Sequence, residues 1–260
     1  MAEEATQPAT QPFFDPRRIG RNNSGLTAED EADVICILHP ASTAAFRAVA
    51  LVARISPQHI LQNEGLEVNM EEDEDYPHDQ QLNFDDDGTT RDIALRMSSR
   101  VREPRLGFCF GRHAVKCDFI LEDLGNQKRV SNVHFRIYVN KDGILMLADM
   151  STNGTSVDDN VLKGKTLDPD FDKTRMLAPG SIIQLVTSPE DEEFKFIVRI
   201  PARDGDRGAY TRNLTAYLAA IEQAESDAKG KAKADYSALP GVRSWVLFRV
   251  FLGMSTDPSC

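Results

Sequence analysis

Residues 134–150 read HFRIYVNKDGILMLADM, and this stretch decides the fold. Phe135, Ile137 and Val139 alternate with polar or amphipathic neighbours, which is the period of a half-buried strand. Asn140-Lys141-Asp142-Gly143 is a hairpin turn, because Gly tolerates the positive φ that such turns require. The apolar run 144–150 then returns along the first strand. Working outward, the same pattern recurs in short pieces. VICILH lies at 34–39 and DIALRMS at 92–98, with Ile93, Leu95 and Met97 on one side. GFCFGR follows at 107–112, CDFILE at 117–122, SIIQLVT at 181–187 and EFKFIVRI at 193–200, with SVDDNVLKG between. Short strands divided by turns predict an all-β chain built as an antiparallel β-sandwich, not an α/β enzyme fold.

Composition narrows the functional classes. The 260 residues contain 30 Lys+Arg and 41 Asp+Glu, a net charge of −11. Phosphate backbones attract basic faces, so no direct nucleic-acid partner is expected. Four cysteines, Cys36, Cys109, Cys117 and Cys260, show no Cys-x-x-Cys and no paired Cys/His spacing. Neither a metal site nor a disulfide framework is expected, and no cofactor is implied. Cys109 and Cys117 fall in strand-like runs and read as buried, inert thiols. The amino terminus has no apolar signal region. The apolar run near Trp245 is far short of the roughly 20 residues that span a bilayer, so no membrane partner is expected and the chain reads as soluble and intracellular.

The rest of the chain divides around the strands. Residues 1–32 are low in order signals and form an expected disordered tail, with Thr-Gln pairs at Thr6 and Thr10 that resemble targets of DNA-damage-responsive kinases. The domain proper is expected over 33–202. Within it, residues 42–90 read as an insertion. Its first part is a helix capped by Ser42, with Ala45, Phe46, Val49, Val52 and Ala53 on the buried face. Its second part, 64–88, is acidic and disordered. From Glu64 to Asp87 there are eleven acids and no Lys or Arg, too charged and too poor in apolar groups to offset the entropy of ordering. Such a block is a solvated spacer or a mimic of phosphate acting on the same chain. In the extension 203–260, Leu214, Tyr217, Leu218 and Ile221 form the apolar stripe of a helix over about 213–229, ended by Gly230.

Three loops hold the chemistry: Gly111-Arg112 at a strand end, Arg129-Val130-Ser131-Asn132-Val133-His134, and Ser151-Thr152-Asn153-Gly154-Thr155. Together they supply a guanidinium, small hydroxyls, side-chain amides and glycines that let backbone approach closely. The set is rich in donors and suits an anion, above all a phosphate. Ser131 and His134 do not make a nucleophile–base pair, because at i to i+3 in an extended segment their side chains point to opposite faces.

The ordered triple Gly111-Arg112, Ser131-Asn132-Val133-His134 and Asn153-Gly154 resembles the forkhead-associated (FHA) domain over about 91–200. The strings FGRHAVKCDFIL, RVSNVHFRIY and DMSTNGTSV are most like the FHA domains of fungal checkpoint kinases of the Chk-two type. The resemblance implies an FHA/SMAD-like sandwich that reads phosphothreonine. Arg112, Ser131, Asn132, Thr152 and Asn153 would hold the phosphothreonine and its backbone. Gly111, His134 and Gly154 would be scaffold, and Arg129 would read Asp or Glu three residues after the phosphothreonine. It also implies DNA-damage checkpoint signalling in the nucleus, with phosphothreonine-containing proteins as partners. Phosphorylated Thr6 or Thr10 of a second copy would give phosphorylation-dependent self-association.

No enzyme is expected in this chain. A protein kinase needs a Gly-rich loop, a Val-Ala-Ile-Lys-like strand, a His-Arg-Asp loop and an Asp-Phe-Gly motif, and 123–125 (DLG) only superficially resembles the last. Two alternatives stay open. The chain is the amino-terminal piece of a serine/threonine checkpoint kinase, or a scaffold that binds unphosphorylated protein through its apolar tail.

Overall fold

The computed structural model describes residues 26–63, 90–121, 130–168, 170, 172–186, 193–203 and 207–238. Among these residues, twelve strands form two sheets packed face to face. In chain order they are β1 (Val34–Pro40), β2 (Ile60–Asn63), β3 (Thr90–Arg96), β4 (Phe108–Gly111), β5 (Phe119–Ile120), β6 (Phe135–Val139), β7 (Leu145–Asp149), β8 (Thr155–Val157), β9 (Asn160–Leu162), β10 (Thr174–Met176), β11 (Ile182–Leu185) and β12 (Lys195–Arg199). One sheet runs β2-β3-β1-β12-β11-β8-β9 and the other β10-β7-β6-β4-β5. Pairing is antiparallel except between β4 and β5. The expected sandwich is the observed architecture. Strands β2 and β10 were not foreseen, being too short for alternation to speak.

The core lies between the sheets. Phe135, Ile137 and Val139 point into it, alternating with half-exposed Arg136 and Tyr138. Leu145 and Leu147 face them across the hairpin. Phe110 stacks on Phe119 and on Phe135, with ring centroids 4.6 and 4.7 Å apart. This aromatic rack underlies the strand ends that carry the three loops. Burial of each such ring contributes roughly 1.5–3 kcal/mol.

Among the described residues three α-helices accompany the sheets: α1 (Ala28–Asp33), α2 (Thr43–Ile55) and α3 (Arg207–Ala238). Helix α1 occupies the end of the stretch expected to lack order. Its capping box explains this, since the Thr27 hydroxyl accepts from Asp30 N–H while the Asp30 carboxylate accepts from Thr27. Helix α2 is capped by Ser42, which accepts from Ala45 N–H. Its buried face is Ala44, Ala45, Ala48, Val49, Leu51 and Val52, which takes in Ala45, Val49 and Val52 of the expected face, while Phe46 and Ala53 are only partly covered. Small alanines let the helix lie close against the sandwich, so this part of the insertion belongs to the core. Strand β2, in the same insertion, pairs with β3. The acidic segment 64–88 falls outside the described residues.

Helix α3 begins six residues before the expected start and passes through Gly230 without ending there. Leu214, Tyr217 and Leu218 pack on the core as one stripe. The extra amino-terminal turns are anchored by Tyr210, whose ring lies 3.9 Å beneath the Arg203 guanidinium. Among the described residues no helix is long and apolar enough to cross a membrane.

Candidate phosphate-binding loops

Sheet register brings the three loops to one rim. Phe110 of β4 pairs with Phe135 of β6, and Phe135 pairs with Asp149 of β7. Those three residues form one row across the sheet. The chain leaving β4, the chain entering β6 and the chain leaving β7 therefore emerge side by side.

The first and second loops are joined through backbone. Arg112 N–H donates to the Ser131 carbonyl at 3.1 Å, and His113 N–H to the Asn132 carbonyl at 3.1 Å. Gly111 permits this approach. A Cβ there would sit 2.5 Å from the Asn132 oxygen and 2.9 Å from the Ser131 oxygen, so any side chain forces the loops apart. Arg112 is half-buried, and its Nε is buried with no hydrogen-bond partner among the described residues. A buried donor left unpaired costs about 1–3 kcal/mol, and an anion placed beside the guanidinium removes that cost.

The second and third loops are joined through Ser131 and His134. Thr152 N–H donates to Ser131 Oγ at 3.2 Å. With its lone pair so used, the Ser131 hydroxyl keeps its own hydrogen for an incoming acceptor. His134 is fully buried. Its Nδ1 accepts from Ser131 N–H at 3.1 Å. That leaves the ring hydrogen on Nε2, which donates to the Gly154 carbonyl at 3.2 Å. Its backbone N–H donates to Phe110 and its carbonyl accepts from Met150 N–H. One residue thus ties all three loops together. Burial above all, with the Lys165 charge adding to it, holds the imidazole below the ordinary histidine range. Ser131 presents its backbone, not its hydroxyl, to the ring, so the pair has no nucleophile–base geometry.

The third loop is shaped by Asp149, which the sequence reading passed over. Its carboxylate accepts from Ser151 N–H at 3.2 Å, Ser151 O–H at 2.8 Å, Thr155 O–H at 2.7 Å and Gly164 N–H at 2.7 Å. Ser151 Oγ in turn accepts from Gly154 N–H at 2.7 Å. Gly154 has φ +110°, which L side chains rarely adopt. Thr152 and Asn153 are thereby held exposed at the tip, as is Asn132 on the second loop. A signal for Asp149 was present, since an Asp two residues before a Ser at a strand end is a turn former that bonds its own backbone.

Two further residues escaped sequence reasoning. Lys165 Nζ donates to Thr152 Oγ1 at 3.2 Å. Cys117 is not only a space-filler, because its thiol donates to the Asn132 carbonyl at 3.0 Å. Burial pushes its pKa up to about 11, and those of Cys36 and Cys109 to about 12, so all three are protonated at neutral pH. Among the described residues no group of three or more His, Cys, Asp or Glu could hold a metal ion. Arg129, Thr6 and Thr10 lie outside the described residues.

This geometry stands beside three comparisons. The FHA domain family matches residues 108–186. The serine/threonine-protein kinase RAD53 of Saccharomyces cerevisiae is 43% identical over 68 residues, a stretch that takes in 25% of this chain and 8% of that kinase. Among solved structures, the N-terminal FHA domain of S. cerevisiae Rad53p in complex with a phosphothreonine peptide is 29% identical, with a TM-score of 0.30 over 40% of this chain and 72% of that one. An engineered FHA with a Myc-pTBD peptide is 27% identical, with a TM-score of 0.33 over 48% of this chain and 88% of that one. This chain contains an FHA domain, at residues 108–186.

Proposed function

We propose that this chain is a non-catalytic phosphothreonine reader, recruiting phosphorylated proteins in DNA-damage checkpoint signalling in the nucleus. The observation that carries the reading is the fixing of Arg112 and Thr152 to Ser131, whose carbonyl accepts from Arg112 N–H and whose hydroxyl oxygen accepts from Thr152 N–H. Arg112 and Ser131 hold the phosphate. Asn132 assists Ser131 through its backbone or side chain, Thr152 packs beside the phosphothreonine, and Asn153 bonds the ligand backbone. Gly111, His134 and Gly154 keep the loops in place. A phosphothreonine carries about −1.5 to −2 charges at pH 7. Two or three charge-assisted bonds of roughly 1.5–3 kcal/mol each supply roughly 3–9 kcal/mol before ordering costs, and contacts to the ligand backbone bring the total to the roughly 8 kcal/mol of micromolar affinity. Arg129 favours Asp or Glu three residues after the phosphothreonine. A second copy phosphorylated at Thr6 or Thr10 is a further ligand and gives dimers, held through the phosphate alone, since Ala9 and Phe13 and not an acid stand three residues after those threonines.

Calorimetric titration with a phosphothreonine peptide bearing Asp at the third following position tests this. Micromolar binding is expected, with loss of at least a hundredfold on removing the phosphate or on Arg112→Ala. Binding indifferent to both changes rejects the reading and leaves the phosphate-independent scaffold. A second reading makes the chain the amino-terminal part of a serine/threonine checkpoint kinase. It is favoured by the match to RAD53, which takes in only 8% of that kinase. A His-Arg-Asp motif encoded downstream of residue 260 decides it.

A further inference from the structure

We infer that Lys165 is a second cation of the phosphate cup, reaching it from the side of the third loop; this rests on the phosphothreonine reading and adds a residue to it. The residue lies in the turn after β9, in a segment that carries none of the loop motifs. Its position is nevertheless set by the same carboxylate that shapes the third loop. Gly164 N–H donates to Asp149 Oδ2, while Asp149 Oδ1 accepts from the Ser151 and Thr155 hydroxyls. The flanking backbone is fixed as well, by Lys163 N–H on the Asp172 carbonyl at 3.0 Å and Asp149 N–H on the Lys173 carbonyl at 2.9 Å. A lysine on a braced turn loses less freedom when it engages a ligand than one on an open loop.

The ammonium is aimed at the site. Nζ donates to Thr152 Oγ1 at 3.2 Å, and Thr152 N–H donates to Ser131 Oγ. The group Nζ meets is a neutral hydroxyl, which leaves its charge uncompensated by this contact. An ammonium has three hydrogens, and this bond uses one. Its field already reaches the site interior, where it helps keep the buried His134 neutral. A charged phosphate beside Ser131 and Thr152 lies within reach of the same field. The ligand class that benefits is the doubly charged phosphate ester, and a carboxylate carrying one charge gains less.

Three variants and three nine-residue peptides test this by calorimetry at 50 and 300 mM salt. The peptides are identical except for phosphothreonine, aspartate or threonine at the central position. Lys165→Gln keeps a donor for Thr152 but removes the charge. It should weaken the phosphothreonine peptide about five- to tenfold at low salt, the size of one partly screened charge pair at about 4 Å. The loss should shrink at high salt and be smaller for the aspartate peptide. Lys165→Arg should bind within about twofold of the parent. Equal affinity of Lys165→Gln and the parent, or equal weakening by Gln and Arg, overturns the inference and leaves the phosphothreonine reading intact. Indifference of the parent and of Arg112→Ala to the phosphate overturns both.

Discussion

Replacing Asp149 tests the architecture of the third loop. Its carboxylate accepts four hydrogen bonds, from two backbone N–H groups and two hydroxyls, and the residue is 4% exposed. Bonds to a charged group contribute about 1.5–3 kcal/mol each. Taking the low value, Asp149→Ala removes about 6 kcal/mol. Rotation of the two hydroxyls and entry of water recover part of it, so the expected loss is about 4–5 kcal/mol, a large share of the roughly 5–15 kcal/mol that stabilises a domain. Asp149→Asn behaves differently. Its amide oxygen still accepts from Ser151 and Gly164 N–H, and its NH2 faces the hydroxyls, which turn to accept. The expected cost is about 2 kcal/mol. Urea unfolding followed by far-UV circular dichroism reads both values. At a urea concentration where the Asn variant is fully folded, its phosphopeptide affinity should still fall, because Ser151 no longer holds the tip as before. The reasoning is refuted if Ala lies within 1 kcal/mol of the parent, or if Asn costs more than Ala.

Two further outcomes follow from buried polar groups. His134 and His59 are both held below the ordinary histidine range by burial first of all. The unfolded chain then binds their protons at higher pH than the folded one. Their stabilisation is intact above about pH 6.5 and is lost as pH falls toward the folded values, at up to about 1.4 kcal/mol per pH unit for each group. Urea midpoints should therefore decline from pH 7 to pH 5, less steeply in a His59→Phe variant, and a flat profile contradicts the assignment. Tyr217 buries its hydroxyl without a hydrogen-bond partner among the described residues, so Tyr217→Phe should leave stability unchanged or raise it by about 1 kcal/mol. A thermal midpoint lowered by several degrees would show that the hydroxyl is bonded.

What was legible in the sequence was local. The alternation at 135–139, the Asn-Lys-Asp-Gly turn and the serine at 42 each act through near neighbours, and the strands and helix they predict are present. Helix α2 illustrates the limit. Periodicity found the helix, but which stripe is buried depended on how close the sandwich allowed it to lie, and alanines won over Phe46. Gly230 resembled a helix end, yet its cost of about 1 kcal/mol is small beside the cooperativity of a long helix.

The amino-acid order alone determined that strands would alternate with turns and that three donor-rich loops would stand at strand ends. Only the tertiary structure decided that these loops share a rim. That follows from the pairing of Phe110 with Phe135 and of Phe135 with Asp149, contacts between residues 25 and 14 positions apart. The same holds for Lys165 and Cys117, whose partners lie 13 and 15 residues away. Such contacts form because closing the sheets buries the Phe110–Phe135 stack, and hydrophobic burial is non-directional. It fixes which chain segments meet without leaving a pattern in the segments themselves.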